Sequence, residues 1–264
     1  MKIHSSAIVD PKARLADDVE IGPFACIGGE VEIGARTVVL SHAVIKGAVR
    51  LGTDNRIGNG VIIGGLPQDL SFKEGTRSSV EIGNGNLIRE HVTVHRGTAE
   101  GSVTRVGDNN FLMTGAHLGH NCEIGNKVII ANNCLLGGHV AVGDGAFLGG
   151  GCVFHQFMRV GQLVVTQGTS GFGKDIPPYV AAAEVNKVIG LNVVGLRRAG
   201  FDATDRAQIK AAFRLLYESG LNVSQALAQA RKKTWGGPAQ IFFDFVAAAK
   251  RRGICALRRG READ

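Results

Sequence analysis

Val106–Val160 reads VGDNNFLMTGAHLGHNCEIGNKVIIANNCLLGGHVAVGDGAFLGGGCVFHQFMRV. Every sixth residue is apolar: Val106, Leu112, Leu118, Ile124, Ile130, Leu136, Val142, Leu148, Phe154 and Val160. Gly follows most of them. A fixed six-residue period fits neither a helix nor a long alternating strand. It is the mark of a β-helical solenoid whose short strands stack coil upon coil. The same series runs back through Ile63, Ile57, Leu51 and Ile45 to Val9 and Ile3, and resumes at Ile82, Ile88 and Val94. The solenoid is expected over about residues 1–171. Two segments interrupt it. Residues 65–79 shift the register by one, and residues 98–104 replace a hexad without shifting it. Insertions in repeat proteins form loops, often on the binding face.

The chain has 264 residues, room for one large domain or two modest ones. Its 38 Gly are periodic rather than clustered, which argues against low complexity. No apolar run has the length of a secretory leader or of a membrane span. A cytoplasmic protein is expected. Cys122, Cys134 and Cys152 share one hexad position, which Ala25 and Ala43 fill elsewhere, so small core fillers are expected there. Net charge is +7, with much of the excess at Arg197, Arg198, Lys232, Lys233, Lys250, Arg251, Arg252, Arg258 and Arg259. No aromatic interleaving or nucleic-acid motif accompanies it, so nucleic acid is not expected as a partner.

After Lys174 the pattern changes. Asp175-Ile176-Pro177-Pro178-Tyr179 reads as a stiff extended exit. Helical periods then predict helices at 187–199, at 204–218 behind Thr204-Asp205, at 223–233 from Asn222, and at 238–252 after Gly236-Gly237-Pro238. The expected division is 1–174 for the solenoid, with insertions near 65–79 and 98–104, and 175–264 for a small helical C-terminal domain.

Histidines concentrate where the period is cleanest: His91, His95, His117, His120, His139 and His155. If three hexads make one coil, those from His95 onward recur about once per coil along one flank. A neutral imidazole is a general base near neutral pH. An adjacent glycine N–H, such as that of Gly138, is a donor for a developing oxyanion. Histidines on neighbouring coils also suit zinc, so a metal-dependent lyase remains an open reading at this point.

Seven stretches resemble the acyl-carrier-protein-dependent UDP-N-acetylglucosamine O-acyltransferase family. They are GGLPQDL (64–70), IREHVTVHRGT (88–98), AHLGHNCEIGN (116–126), ANNCLLGGHV (131–140), HQF (155–157), DIPPYV (175–180) and GLNVVGLRRAGF (190–201). The resemblance implies a homotrimeric, left-handed parallel β-helix of hexapeptide repeats with a helical C-terminus. It implies no metal and no cofactor. It also implies transfer of a 3-hydroxyacyl group from acyl carrier protein to the 3-hydroxyl of UDP-N-acetylglucosamine, the first step of lipid A biosynthesis.

Carried over by motif, His120 is the expected base and Gly138 the oxyanion donor. Gln68, Asp69 and His95 are expected at the sugar nucleotide. His117, His139, His155 and Gln156 would position sugar and acyl chain. Asn192, Arg197 and Arg198 would hold uridine or phosphate, and Gly168 would bound the acyl groove. The basic tail would meet the acidic carrier. The chain departs from the family pattern at Asn121 (usually Asp), Ser71 (usually Lys), Val194 (usually Glu) and across AAAEVNKVIG (181–190). Those departures keep open a different acceptor, such as a 3-amino sugar nucleotide.

Overall fold

In the computed structural model, residues 1–249 and 252–258 are described. Strands two to four residues long stack in three parallel sheets that form the faces of a triangular prism, a left-handed parallel β-helix. The first face begins Lys2–Ile3, Glu20–Ile21, Val38–Val39; the second Ile8–Val9, Cys26–Ile27, Val44–Ile45; the third Arg14–Leu15, Val31–Ile33, Ala48–Leu51. Register follows the expected three hexads per coil, as in Glu20 opposite Val38 and Arg56 opposite Val38.

The second residue of each two-residue strand points inward. Ile45, Ile57, Ile63, Ile88, Leu112, Leu118, Ile130, Leu136 and Leu148 are fully buried and form the core. Cys122, Cys134 and Cys152 are buried at 0%, as small fillers should be. At one corner a buried asparagine ladder joins successive coils. Asn55 Oδ1 accepts from the Asn86 N–H (2.9 Å), Asn86 Oδ1 from that of Asn110 (2.9 Å), and Asn110 Oδ1 from that of Val128 (2.7 Å). The side chains thereby satisfy backbone donors at the bends.

The residue before each inward one points outward, and the three faces differ in what they show. The third face presents Arg14, Glu32, Arg50, Glu81, Arg105 and Glu123 in successive register, alternating in charge. The first face becomes apolar through Leu87, Phe111, Ile129, Phe147 and Val165. The second carries Ile8, Cys26, Val44 and Ile62 below, then Thr93, His117, Leu135 and Val153.

Past Lys174 the structure departs from the helical expectation. Val180–Ala183 adds to the first face parallel to Val165, and Lys187–Leu191 returns antiparallel beside it. The 187–199 segment is therefore strand first. Its β-branched Val188 and Ile189 suit the open sheet edge, and only Val193–Arg198 forms a helix, α1. Three more helices follow: α2 (Ala203–Tyr217), α3 (Val223–Ala230) and α4 (Gly237–Ala247). Asp202, not Thr204, caps α2 by accepting from the Asp205 N–H. Asn222 and Gln225 form a reciprocal capping box on α3. Phe213, Leu216, Phe242, Phe243 and Val246 are buried between α2 and α4.

Candidate active site

Both insertions leave the prism at the corner joining the second and third faces. The first lies between the strands Ile62–Gly65 and Ser79–Ile82, the second between Thr93–His95 and Val103–Val106. His95, His117, His120, His139 and His155 gather at or beside the same corner, while His91 lies at the corner between the first and second faces. A cleft of about 430 Å³ is lined by Gln68, His95, His117, His120, Gly137, Gly138, Leu135, Val153, His155 and Gln156, among others. The His95 and His117 rings meet edge to face at 4.8 Å, and those of His120 and His139 at 5.2 Å. His139 stacks on Phe157 at 4.3 Å. Larger in volume is a groove of about 1090 Å³ on the third face. Its charged lining is the alternating ladder, with no histidine, and its carboxylates Glu32 and Glu81 are paired with arginines.

The hydrogen bonds fix which tautomer the neutral His120 ring adopts. Its Nδ1 lies 3.0 Å from Asn121 Oδ1. The Thr98 backbone N–H and hydroxyl both bond that same Asn121 atom at 3.1 Å. A backbone N–H can only donate, so the Asn121 atom is the amide oxygen, an acceptor. His120 Nδ1 must then carry a proton, so the neutral ring has its lone pair on Nε2. Asn121 sits at a left-handed corner with φ +59°, a conformation asparagine tolerates well.

Gly138 packs against this ring. A Cβ there would overlap the Cε1–Nε2 edge of His120 and lie 2.9 Å from Nδ1. Among the described residues, the Gly138 N–H has no hydrogen-bond acceptor.

Burial sets the charge of the neighbouring rings. It pushes His95 down to about 4, with His117, His120 and Lys46 adding smaller repulsions. His95 Nδ1 is buried without a partner. Burial also lowers His117, whose Nδ1 meets the Thr93 hydroxyl at 2.7 Å. His139 is lowered first by burial and then by His120. Asp69 is held below the usual carboxylate range by the Ser71 hydroxyl (2.7 Å) and Ser71 N–H (2.8 Å), and it feels His120 and His139. Ser71, standing where lysine is usual in the family, therefore orients the loop carboxylate.

Other expected residues lie elsewhere. Asn192 caps α1 through Oδ1 and donates Nδ2 to the Leu163 carbonyl at 2.8 Å, so its side chain is committed within the chain. Arg197 and Arg198 are exposed at the end of α1 and do not line the cleft. Gly168 sits at the opposite corner, between first and second faces, and also does not line it. Of the basic tail, Lys250, Arg251 and Arg259 lie outside the described residues. Arg258 bonds Glu184 at 3.1 Å. Among the described residues, no three His, Cys, Asp or Glu side chains are grouped to hold a metal ion. No helix among them is long and apolar enough to cross a membrane.

Thr93 and Thr98 escaped the sequence reading. Thr93 could have been found, since it occupies the outward position one coil before His117. Thr98 lies in an irregular loop with no period to place it.

Comparison with known proteins gives a consistent result. A family profile described as UDP N-acetylglucosamine O-acyltransferase, domain 2, matches residues 175–255, and one described as bacterial transferase hexapeptide (six repeats) matches residues 104–138. The acyl-[acyl-carrier-protein]--UDP-N-acetylglucosamine O-acyltransferase of Syntrophobacter fumaroxidans is 44% identical over 255 residues, covering 95% of this chain and 98% of its own. Its counterpart in Paraburkholderia xenovorans is 45% identical over 258 residues, with the same coverage of 95% and 98%. The solved UDP-N-acetylglucosamine acyltransferase of Francisella novicida superposes with a TM-score of 0.92 at 38% identity, covering 98% of this chain and 95% of that one.

Proposed function

Because the chain belongs to the acyl-[acyl-carrier-protein]--UDP-N-acetylglucosamine O-acyltransferase family, we propose that His120 is the base of an acyl transfer in the cleft beside Gly138. The reaction is the first step of lipid A synthesis: a 3-hydroxyacyl group passes from acyl carrier protein to the sugar 3-hydroxyl. His120 Nε2 removes the proton of that hydroxyl. The oxygen attacks the thioester carbonyl carbon, and the carbonyl oxygen takes up negative charge beside the Gly138 N–H. The C–S bond then breaks, and the leaving sulfur receives the proton from His120 Nε2.

The observation that carries this reading is the Thr98–Asn121–His120 chain of hydrogen bonds, which leaves Nε2 as the acceptor facing the cleft. Asn121 fixes the tautomer without a charge, and the uncharged His95 and His117 add no positive charge against the imidazolium that forms. Gln68, Asp69, His95 and His139 are assigned to the sugar nucleotide, with His117, His155 and Gln156 toward the acyl chain. Leu135 and Val153 offer an apolar floor above His117, and Gly168 at the far corner is assigned to the chain's far end.

A cleft of about 430 Å³ holds one small ligand, not a sugar nucleotide together with a pantetheine-borne acyl chain. The missing wall is assigned to a second copy, whose Asn192, Arg197 and Arg198 region would meet uridine or phosphate. The partly exposed apolar first and second faces, against a charged third face, support burial between copies in a homotrimer. The prism of residues 1–174 would carry the chemistry and residues 175–264 the carrier and nucleotide contacts, in the cytoplasm. Transfer of 3-hydroxyacyl groups to UDP-N-acetylglucosamine, with His120→Ala alongside, tests the assignment. Loss of about 100-fold or more in the variant is expected of a lost general base. A large preference for the 3-amino sugar nucleotide would replace the acceptor, and equal rates for both proteins would reject the base.

A further inference from the structure

We infer that Arg252, on the C-terminal segment, sets the tautomer of His155 and thereby decides which polar atom that ring offers the cleft. The inference rests on the cleft being the acyl-transfer site.

The segment is fastened firmly. The Gly253 carbonyl accepts from the Asp175 N–H (3.1 Å), and the Cys255 N–H donates to the Asp175 carbonyl (2.8 Å). Ala256–Leu257 pairs with Lys187–Val188, and the Tyr217 hydroxyl donates to the Cys255 carbonyl at 3.0 Å. Asp175 in turn holds Arg159 through a partly buried ion pair at 2.7 Å. The tail is thereby pinned to the solenoid between its last coils and the helices.

From this anchorage Arg252 Nη1 reaches to 2.6 Å from His155 Nδ1. A guanidinium has only donors. The contact therefore requires a lone pair on Nδ1, which puts the His155 proton on Nε2. The Gln156 carbonyl lies 3.1 Å from the same Nδ1. A carbonyl only accepts, so that contact requires the proton on Nδ1. One nitrogen cannot satisfy both. With Arg252 docked, His155 presents an Nε2–H donor; with Arg252 away, the proton moves to Nδ1 against Gln156 and Nε2 becomes an acceptor.

His155 shares the cleft with His120 and Gly138. In the docked state the site holds an acceptor at His120 and a donor at His155, which suits a substrate oxygen lying between them. Arg252 touches no reacting atom; it is a positioning residue acting through His155.

Magic-angle-spinning NMR of the full-length protein carrying 13C,15N-histidine, at mildly alkaline pH where imidazoles are neutral, reads the tautomer directly. His155→Gln identifies the signals. We expect the Nε2–H form in the wild type, the Nδ1–H form in Arg252→Met, and the Nε2–H form again in Arg252→Lys, which retains a donor. In the transfer assay, kcat/KM should fall about tenfold or more in Arg252→Met, the scale of a modestly misplaced group, and recover in Arg252→Lys. Nδ1–H in the wild type, or one tautomer in wild type and Arg252→Met alike, overturns the inference. So does a tautomer change with unaltered kinetics. If His120→Ala keeps full activity, the reading of the cleft fails, while the NMR comparison still judges Arg252.

Discussion

Gly138→Ala is the sharpest test of how the site is built, because the change is one methyl group and leaves the backbone N–H in place. That methyl would sit on the Cε1–Nε2 edge of His120. Carbon atoms meet comfortably at about 3.5 Å, and the overlap is more than about 1 Å short of that. The obstructing ring cannot swing freely, because Asn121 holds its Nδ1–H and His139 packs edge-on at 5.2 Å. The ring or the corner must therefore move by about 1 Å, and a misplacement of that size costs about 100-fold in rate. The folding cost of such overpacking is about 1–3 kcal/mol, less than the about 5–15 kcal/mol by which a domain is ordinarily stable. Measured kcat/KM for acyl transfer should fall about 100-fold, with the thermal midpoint lowered but folding intact, and His120→Ala should mark the floor. A Gly138→Ala enzyme within about threefold of wild type would mean that His120 does not work from this position.

Other measurements probe separate links. Asn121→Asp keeps the acceptor for the His120 Nδ1–H and adds a negative charge facing the imidazolium formed in the transition state; kcat should rise, and a fall would show that the amide serves another purpose. His95, held near 4 by burial, stays neutral in the fold while the unfolded chain takes a proton below about 6.5, so stability should fall with pH from about 6.5 to about 4, by about 3 kcal/mol in all. His95→Gln should flatten that part of the urea-midpoint profile, and an unchanged slope would refute it. Exhaustive chelation should leave transfer intact; activity lost to chelator and restored by zinc would favour a metal site. Mixing His120→Ala chains with chains carrying Arg197→Ala and Arg198→Ala should recover activity if each cleft draws on two copies, whereas two inactive parents that never complement would place the histidine and the arginines in one copy's site, and an active arginine variant would place the arginines outside it.

What the sequence revealed and what it hid have a single physical cause. A solenoid converts period into position, so residues three hexads apart become neighbours. That rule led from the spacing of His95, His117, His120 and His139 to ring contacts of 4.8 and 5.2 Å. The two insertions, expected only as loops on a binding face, leave the prism at the corner where those rings lie. The rule carries no information where the period stops, and there the reading erred. Val188 and Ile189 fit a helical stripe in sequence, yet they lie on a strand because the sheet edge left by Val180–Ala183 is available to them. Arg252 lies near no histidine motif, and only the clasp around Asp175 brings it to His155.

The outward-pointing residues bear on association in a way the inward-pointing ladder does not. The outward residues, one position before each core residue, read Arg14, Glu32, Arg50, Glu81, Arg105 on the third face and Leu87, Phe111, Ile129, Phe147 on the first. Alternating opposite charges satisfy one another across a ladder that faces water. An apolar row over several coils has no such solution and is stable only when covered. The second face adds Leu135 at 43% and Val153 at 49% exposure beside the histidines, so cover on that face would also close the cleft. Catalysis and association would then draw on the same surface, and a charge placed at Leu135 should weaken both together. Loss of activity in a Leu135→Arg protein that stays fully assembled by light scattering would separate them and refute the link.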